Sequence, residues 1–240
     1  MTATEAAIWH DVECGSYEAD LPLWEELAER CGGRVLELGS GTGRVALHLA
    51  RRGHEAVALD RDPDLIATLT ERAGELPVEP LVADARDFAL SEPVALALAP
   101  MQFLQLLPSA EDRLACLECL AASLQAGGLL AAALVERLPS SDGALPPFPD
   151  VREIDGWVYS SLPIAVEVAE DQILLRRLRQ AASPTGELSE AEDELQLQAL
   201  TAAQLEAEAT RAGFTPAGRR STPETEAHVG STVVLLERCR

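Results

Sequence analysis

The chain has 240 residues, 47% of them hydrophobic, and 40 acidic against 19 basic side chains give a formal net charge of −21. This length and apolar content allow one large domain with a substantial core and exclude a disordered chain. The negative charge opposes binding to nucleic acids and anionic membranes, which draw their affinity from basic side chains, so neither is expected as a partner.

The N-terminal part, 1–33, is predicted to be a helical lid segment that precedes the core. An amphipathic helix is predicted over 21–31, with Asp20 placed to cap it. From 34 to 138, short apolar runs alternate with helical patterns, which is typical of βαβ units and a parallel sheet. Strands are predicted at 34–38, 55–60, 78–83, 94–99 and 129–136, and helices at 43–52, from Pro63, and at 111–125 with a stop at Gly127-Gly128.

Residues 139–200 break this alternation. After a proline-rich loop, 157–168 and 172–180 have strand patterns without helices between them, and 195–199 alternates as a half-buried strand does. This predicts an antiparallel insertion of three or four strands, on the substrate side or at a dimer contact. A helix capped by Thr201 and the strands 214–220 and 231–238 then complete the core over 201–240.

The predicted fold is therefore α/β. It is a Rossmann-like, doubly wound, mostly parallel seven-stranded sheet with an antiparallel β insertion after the fifth strand.

The first strand runs into the motif Glu37-x-Gly39-x-Gly41-x-Gly43, which opens a helix. Glycines at such a turn allow a ligand to touch the backbone, and the free N–H groups of the helix offer a positive terminus. A dinucleotide fingerprint would be G-x-G-x-x-G, but Arg44 stands in place of its last glycine. The motif instead resembles motif I of the class I S-adenosylmethionine-dependent methyltransferases.

Two further acids follow the next strands. Asp60 ends the second strand about 20 residues after the glycines, where an acid binds a ribose diol, and Asp84 ends the third. Taken singly, each of these acids is as well explained as a helix cap or a loop carboxylate. Because the carboxyl ends of parallel strands share one edge of the sheet, Glu37, Asp60 and Asp84 are expected to line one crevice.

The resemblance implies an enzyme that uses S-adenosyl-L-methionine and releases S-adenosyl-L-homocysteine. It implies that Glu37 lies near the cofactor's amino group, that Asp60 binds both ribose hydroxyls, and that Asp84 accepts from the adenine amine. Tyr17 corresponds to an aromatic residue that covers the site. The cofactor-binding residues predicted in this way are Tyr17, Glu37, Gly39, Ser40, Gly41, Gly43, Asp60, Arg61, Asp84, Ala85, Ala99 and Met101.

Methyl transfer is an in-line displacement that needs alignment and exclusion of water more than a base. If a base is used, His228 in the turn between the last two strands is the first candidate and Tyr17 the second. A solvent-exposed turn histidine is the alternative for His228. His10 and the other histidines are less favourable candidates.

The expected acceptor is a small molecule with an N or O nucleophile. The segment Ala99-Pro100-Met101-Gln102 is not the Asn/Asp-Pro-Pro-Tyr/Phe motif of enzymes that methylate nucleic-acid amines or glutamine. The alternatives are a protein or tRNA methyltransferase, a cofactor-binding protein without activity, and, last, a nicotinamide dehydrogenase. The arrangement of the insertion resembles, in architecture alone, aminosugar N-methyltransferases of antibiotic pathways. A monomer or a homodimer is expected.

Charge runs and cysteines are given ordinary roles. The acids of 187–208 could face an amine substrate but are better explained as a solvated surface, as are the arginines of 176–179. Cys116-x-x-Cys119 lies within a helical pattern and is interpreted as core, so no metal site is predicted. The chain has five cysteines, an odd number that does not suggest a disulfide framework. It also lacks a signal-peptide pattern and an apolar run of membrane length, so a cytoplasmic protein is predicted.

Overall fold

A computed structural model describes residues 4–136, 148–225 and 229–239. Its helices are α1 (Glu5–Cys14), α2 (Leu21–Cys31), α3 (Arg44–Ala50), α4 (Pro63–Ala73), α5 (Ala110–Ser123) and α6 (Ala202–Arg211), with a short 3-10 helix at Phe103–Leu106. Its strands are β1 (Val35–Leu38), β2 (Ala56–Asp60), β3 (Val78–Val82), β4 (Val94–Ala99), β5 (Leu124–Leu134), β6 (Asp150–Ile154), β7 (Trp157–Val168), β8 (Gln172–Ala182), β9 (Leu188–Gln198), β10 (Phe214–Thr222) and β11 (Ser231–Arg238).

The main sheet has seven strands in the order β10-β11-β5-β4-β1-β2-β3. The strands β1 to β5 run parallel, whereas β11 is antiparallel to both β5 and β10. The order reverses at β1 and β4, and ligands of such sheets bind at the carboxyl ends of the strands beside that reversal. The predicted doubly wound, mostly parallel sheet is confirmed.

Helices cover both faces of this sheet. One buried cluster joins β1, β4, β5 and β11 to α5 and α6, and a second joins the alternate residues of those strands to α2 and α3. Strand β4 is fully buried along its length, which explains its continuous apolar sequence. Cys116 belongs to the first cluster, which confirms it as a core residue. Among the described residues, no helix has both the length and the apolar character needed to cross a bilayer.

The second sheet is antiparallel, in the order β6-β7-β8-β9, and confirms the predicted insertion. Two of its strands differ from the prediction: β6 was not foreseen, and β9 begins at Leu188 rather than near residue 195. Both carry mostly exposed side chains, so the alternation of buried and exposed residues that marks a strand is missing there.

Two predicted helix ends are wrong. Helix α5 ends at Ser123, and Gly127 and Gly128 lie within β5, where the pairing with β4 is irregular and Gly127 has a φ of 74°. These glycines therefore permit a bulge and do not stop a helix. Asp20 does not cap α2 through its side chain. Its carboxylate instead accepts from Trp24 Nε1 at 2.8 Å and pairs with Arg44.

Helix α1 joins the two sheets; it lies within the N-terminal segment that was predicted to be helical, although its own bounds were not predicted. On the core side, Asp11 accepts from Thr42 at 2.6 Å and forms a bidentate ion pair with Arg72. On the insertion side, Glu13 accepts two hydrogen bonds from Arg179, at 2.7 and 2.8 Å, and one from Ser161 at 2.8 Å. These contacts fix the insertion relative to the glycine turn.

A buried ion pair ties the segment before α2 to the start of α3. Arg44 donates to both carboxylate oxygens of Asp20 and to the carbonyl of Tyr17, and the two charged side chains are 9% and 2% exposed. Removing one partner of such a pair leaves the other charge buried and uncompensated, which is more costly than losing an exposed pair.

We predict that Asp20→Ala lowers the free energy of unfolding by about 3 kcal/mol, because the buried Arg44 then loses the carboxylate to which it donates two hydrogen bonds. Urea denaturation measures this change. Glu167→Ala, which removes an exposed pair with Arg176, is the control and should cost less than about 1 kcal/mol. Equal losses in the two variants would contradict the assignment.

Candidate functional site

One cavity of about 760 Å³ lies at the carboxyl edge of the main sheet. Its walls come from the glycine turn after β1, the segments after β2, β3 and β4, the N-terminal segment, and the inner face of the insertion sheet. The volume falls within the usual range for small-molecule sites. The site therefore lies between the predicted core and the predicted insertion.

The glycine turn has a backbone that other residues would adopt only with strain. Gly39, Gly41 and Gly43 have φ angles of 61°, 54° and 94°. Asp60 fixes this turn from the next strand, because its Oδ2 accepts from the Gly41 N–H at 2.9 Å. The hydroxyl of Ser40 is buried and has no hydrogen-bond partner among the described residues, so it remains available to a ligand.

Glu37 lies beneath the turn and lines the cavity while being almost fully buried. Its Oε2 accepts from the Ala46 N–H at 2.7 Å. Burial raises the pKa of Glu37 to about 8, although the charge of Arg44 and the Ala46 hydrogen bond act in the opposite direction. A cationic ligand group beside this carboxyl would lower that pKa and favour the ionised form.

The two acids after β2 and β3 also reach the cavity. Asp60 accepts from Asp62 N–H at 3.0 Å in addition to its bond with Gly41, so both of its oxygens already have a backbone donor. Asp84 is held in a bidentate ion pair by Arg86, whose hydrogen bonds lower the pKa of Asp84 to about 2. Carboxylate oxygens have further lone pairs, so each acid can still accept from a ligand.

The structure brings most of the predicted cofactor residues into one wall. Lining residues from the predicted set are Tyr17, Glu37, Gly39, Ser40, Asp60, Arg61, Asp84, Ala85 and Met101. Three described residues of the set, Gly41, Gly43 and Ala99, are not part of that wall. Gly43 packs toward Leu47 and Leu69, and Ala99 is buried in the core. His228 lies outside the described residues.

Tyr17 is nearly buried at the rim of the cavity. Its hydroxyl donates to the carbonyl of Pro223 at 3.2 Å, and the Arg44 guanidinium lies 5.5 Å from the centre of its ring. Burial raises the pKa of Tyr17, so the phenol keeps its proton at neutral pH. These contacts suit a residue that covers the site better than one that accepts a proton.

Two aromatic rings over the glycine turn were not identified from the sequence. A Cβ built on Gly41 would lie 2.0 Å from Nε2 of His10, and one on Gly39 would lie 2.3 Å from Cδ2 of Phe103. Burial lowers the pKa of His10, although Asp11 opposes this effect. No sequence signal marked His10, because the helix α1 that carries it buries only Ala7, Asp11 and Val12 and lacks an apolar stripe.

The insertion supplies the opposite wall. Its apolar side chains there are Pro163, Val166, Leu175, Leu195 and Leu197. Arg177 lies among them, and Arg179 on the same strand binds Glu13, so the predicted solvated face is wrong for these two arginines. Their side chains are only 16% and 21% exposed. The acids of β9, in contrast, are mostly exposed and outside the cavity wall.

Gln102 and Gln105, two glutamines that follow β4, have different positions. Gln102 lines the cavity and donates from Nε2 to the Ser231 hydroxyl at 2.9 Å. Gln105 is fully buried and bonds with the backbone N–H and carbonyl of Val135 and with the carbonyl of Gln198. It therefore joins β5 to the end of the insertion without reaching the cavity.

Comparison with known sequences identifies the core. The model of a family described as methyltransferase domain matches residues 35–128. The ubiquinone biosynthesis O-methyltransferase of Xanthomonas campestris pv. campestris is 31% identical over 113 residues, which is 46% of this chain and 46% of that protein. The chain thus matches less than half the length of this relative.

Solved structures are similar over nearly the whole chain. A sugar N-methyltransferase from a Streptoalloteichus species has a TM-score of 0.77 at 18% identity and covers 100% of this chain and 95% of its own. An amino pentose methyltransferase from Micromonospora echinaspora, solved with S-adenosylmethionine, has a TM-score of 0.73 at 16% identity, with 96% of each chain covered. At such identities the likeness establishes the fold.

The residues matched by the family model include the glycine turn, Asp60 and Asp84. These residues lie in a doubly wound sheet, and the cavity lies at the carboxyl edge of that sheet. The sequence match and the fold therefore agree on the same part of the chain. The chain therefore contains a methyltransferase domain over residues 35–128, and its fold is similar to that of the solved methyltransferases.

Proposed function

We propose that this protein transfers a methyl group from S-adenosyl-L-methionine to an N or O nucleophile of a small molecule. The observation that carries the proposal is the continuity of the cavity. A single space connects the glycine turn and its acids to the apolar wall of the insertion, so one ligand on each side would meet inside it. The insertion, residues 139–200, would then form the substrate side.

In this proposal the cofactor lies along the carboxyl edge of β1 to β3. Its amino group faces Glu37, the buried carboxyl beneath the turn, and the Ser40 hydroxyl provides a further polar contact. The ribose hydroxyls bind Asp60, and the adenine lies between Arg61 and the Asp84–Ala85 segment. Tyr17 covers the methionyl part from the N-terminal side. S-adenosyl-L-homocysteine is the product left in the same place.

The relatives support a small acceptor. The similar structures include a sugar N-methyltransferase and an amino pentose methyltransferase, and the sequence relative is an O-methyltransferase of ubiquinone biosynthesis. The 760 Å³ cavity also suits small molecules. A cofactor-binding protein without activity is the second candidate, and turnover distinguishes the two. The oligomeric state and the cytoplasmic location stay predictions.

The bound cofactor supplies a methyl group that is already activated by its sulfonium. The chain's own residues then have to align the acceptor and exclude water, and positioning of this kind can lower a barrier by about 7–11 kcal/mol. The apolar wall and Phe103 line the space where the acceptor would lie and would keep water from it once both ligands are bound. A neutral amine needs no base, and the raised pKa of Tyr17 disfavours that residue as one.

We predict that S-adenosylmethionine and S-adenosylhomocysteine, but not NAD, raise the melting temperature. At about 100 times Kd a ligand adds about 2.7 kcal/mol to stability. Asp60→Ala should weaken binding by roughly 10- to 100-fold, the usual effect of losing hydrogen bonds to a charged group. Calorimetric titration measures this loss.

Asp64→Ala is the matched control for that experiment, because Asp64 is an exposed carboxylate four residues away and outside the cavity wall. Its affinity should stay unchanged. A labelled-methyl screen over amines, phenols and alcohols then tests turnover. The proposal fails if NAD stabilises the protein and the sulfonium cofactor does not.

We further predict that binding of S-adenosylhomocysteine at about pH 7 releases more protons from the wild type than from Glu37→Gln. Because the pKa of unliganded Glu37 is about 8, its carboxyl is mostly protonated below that pH, and a bound ammonium group would drive ionisation. Titration calorimetry in buffers of different ionisation enthalpy measures the difference. Equal proton release would show that the amino group does not lie beside Glu37.

A further inference from the structure

The acceptor half of the cavity contains one arginine that its neighbours do not satisfy. Arg177 lines the cavity, and its Nη1 is buried without a hydrogen-bond acceptor among the described residues. Nη1 forms an ion pair with Oδ2 of Asp150 at 3.6 Å, but this distance is beyond hydrogen-bond length. A buried guanidinium N–H without an acceptor is unfavourable, so this position is suited to a ligand oxygen.

The charges of Glu13 and Arg179 on this wall are paired through direct hydrogen bonds. Glu13 accepts two hydrogen bonds from Arg179, and Arg179 also donates to Asp193 at 2.8 Å. Burial alone would raise the pKa of Glu13, but the hydrogen bonds from Arg179 and the charge of Arg177 lower it below its ordinary value. Glu13 is therefore ionised at neutral pH. Arg177 thus differs from Arg179, although the two residues lie two positions apart on the same face of β8.

Apolar side chains line the cavity wall beside Arg177. Leu175 precedes it by two residues on β8 and shares its face, and Leu195 and Leu197 on β9 line the same part of the cavity. Val166 completes a small buried cluster with Leu197. An acceptor placed there would contact hydrocarbon along most of its surface and meet a fixed cation at one point.

We propose that Arg177 binds an anionic oxygen group, a carboxylate or a phosphate, on an otherwise largely apolar methyl acceptor. This inference rests on the proposed function, because it names the substrate class of the same cavity. A guanidinium presents its donors in a planar fork that fits both groups, and it cannot accept a hydrogen bond, which excludes a protonated amine as its partner. The chain as a whole carries a charge of −21, so the specificity comes from this one residue and not from the general surface.

The test uses four probes with one ring and different head groups: benzoate, phenyl phosphate, benzyl alcohol and benzylamine. Each is titrated into the full-length protein with and without S-adenosylhomocysteine. We expect at least one anionic probe to bind the wild type roughly tenfold or more tightly than benzyl alcohol, the usual effect of a hydrogen bond to a charged group. The stronger anionic probe identifies the group as carboxylate or phosphate.

Three variants make the test specific. Arg177→Gln should abolish the preference for anions, whereas Arg177→Lys, which keeps the charge, should retain part of it. Arg176→Gln is the matched control, because Arg176 is the next residue on β8, pairs with Glu167 and does not line the cavity. It should bind all probes as the wild type does. Melting curves confirm that each variant is folded.

The inference is overturned if the wild type binds anionic and neutral probes equally, if it binds none of them, or if Arg177→Gln keeps the preference. The proposed function fails separately, through loss of S-adenosylhomocysteine binding by the wild type. Arg177→Gln should leave that binding unchanged, because Arg177 lies on the insertion side of the cavity.

Discussion

The turn after β1 is the constraint on which the rest of the site depends. It reverses the chain through three glycines with positive φ, and the carboxylate of Asp60 holds its Gly41 N–H from the neighbouring strand. This hydrogen bond requires β1 and β2 to be paired in register, with Leu38 opposite Leu59. The pairing of the two strands and the shape of the site are therefore linked. A side chain at Gly39 or Gly41 would also collide with the rings that cover the turn.

Helix α1 extends this constraint to the acceptor side. Asp11 fixes it to the core through Thr42 and Arg72, while Glu13, two residues on, fixes it to the insertion through Arg179 and Ser161. Both carboxylates are largely buried and accept hydrogen bonds from an arginine, and such charge-assisted bonds are stronger than neutral ones. The distance between the two halves of the cavity is therefore set by a rigid helix, and a displacement of α1 would change both halves together.

The carboxyl ends of β1, β2 and β4 were predictable from the sequence, and so was the placement of Glu37, Asp60 and Asp84 in one wall, because carboxyl ends of parallel strands share an edge. Helix α1 was not predictable, since its inward face carries a charged side chain whose partner Arg72 is 61 residues away. Arg177 was not predictable either. Whether an arginine on a strand faces solvent or a cavity depends on which face of the second sheet packs toward the core. The sequence of residues 176–179 does not indicate which face that is.

The described walls of the cavity hold no side chain that would itself take the activated methyl group. Burial raises the pKa of Cys14 to about 11, so its thiol is not ionised at neutral pH, and Tyr17 keeps its proton for the same reason. His10 has its Nδ1 3.2 Å from the Thr42 hydroxyl and its Nε2 against Gly41, so both nitrogens face the glycine turn. A protein that positions an electrophile needs such unreactive surroundings, because the nucleophile then has to be the acceptor's own. The chemistry is accordingly decided by what the apolar wall and Arg177 admit, and by the orientation that they impose on it.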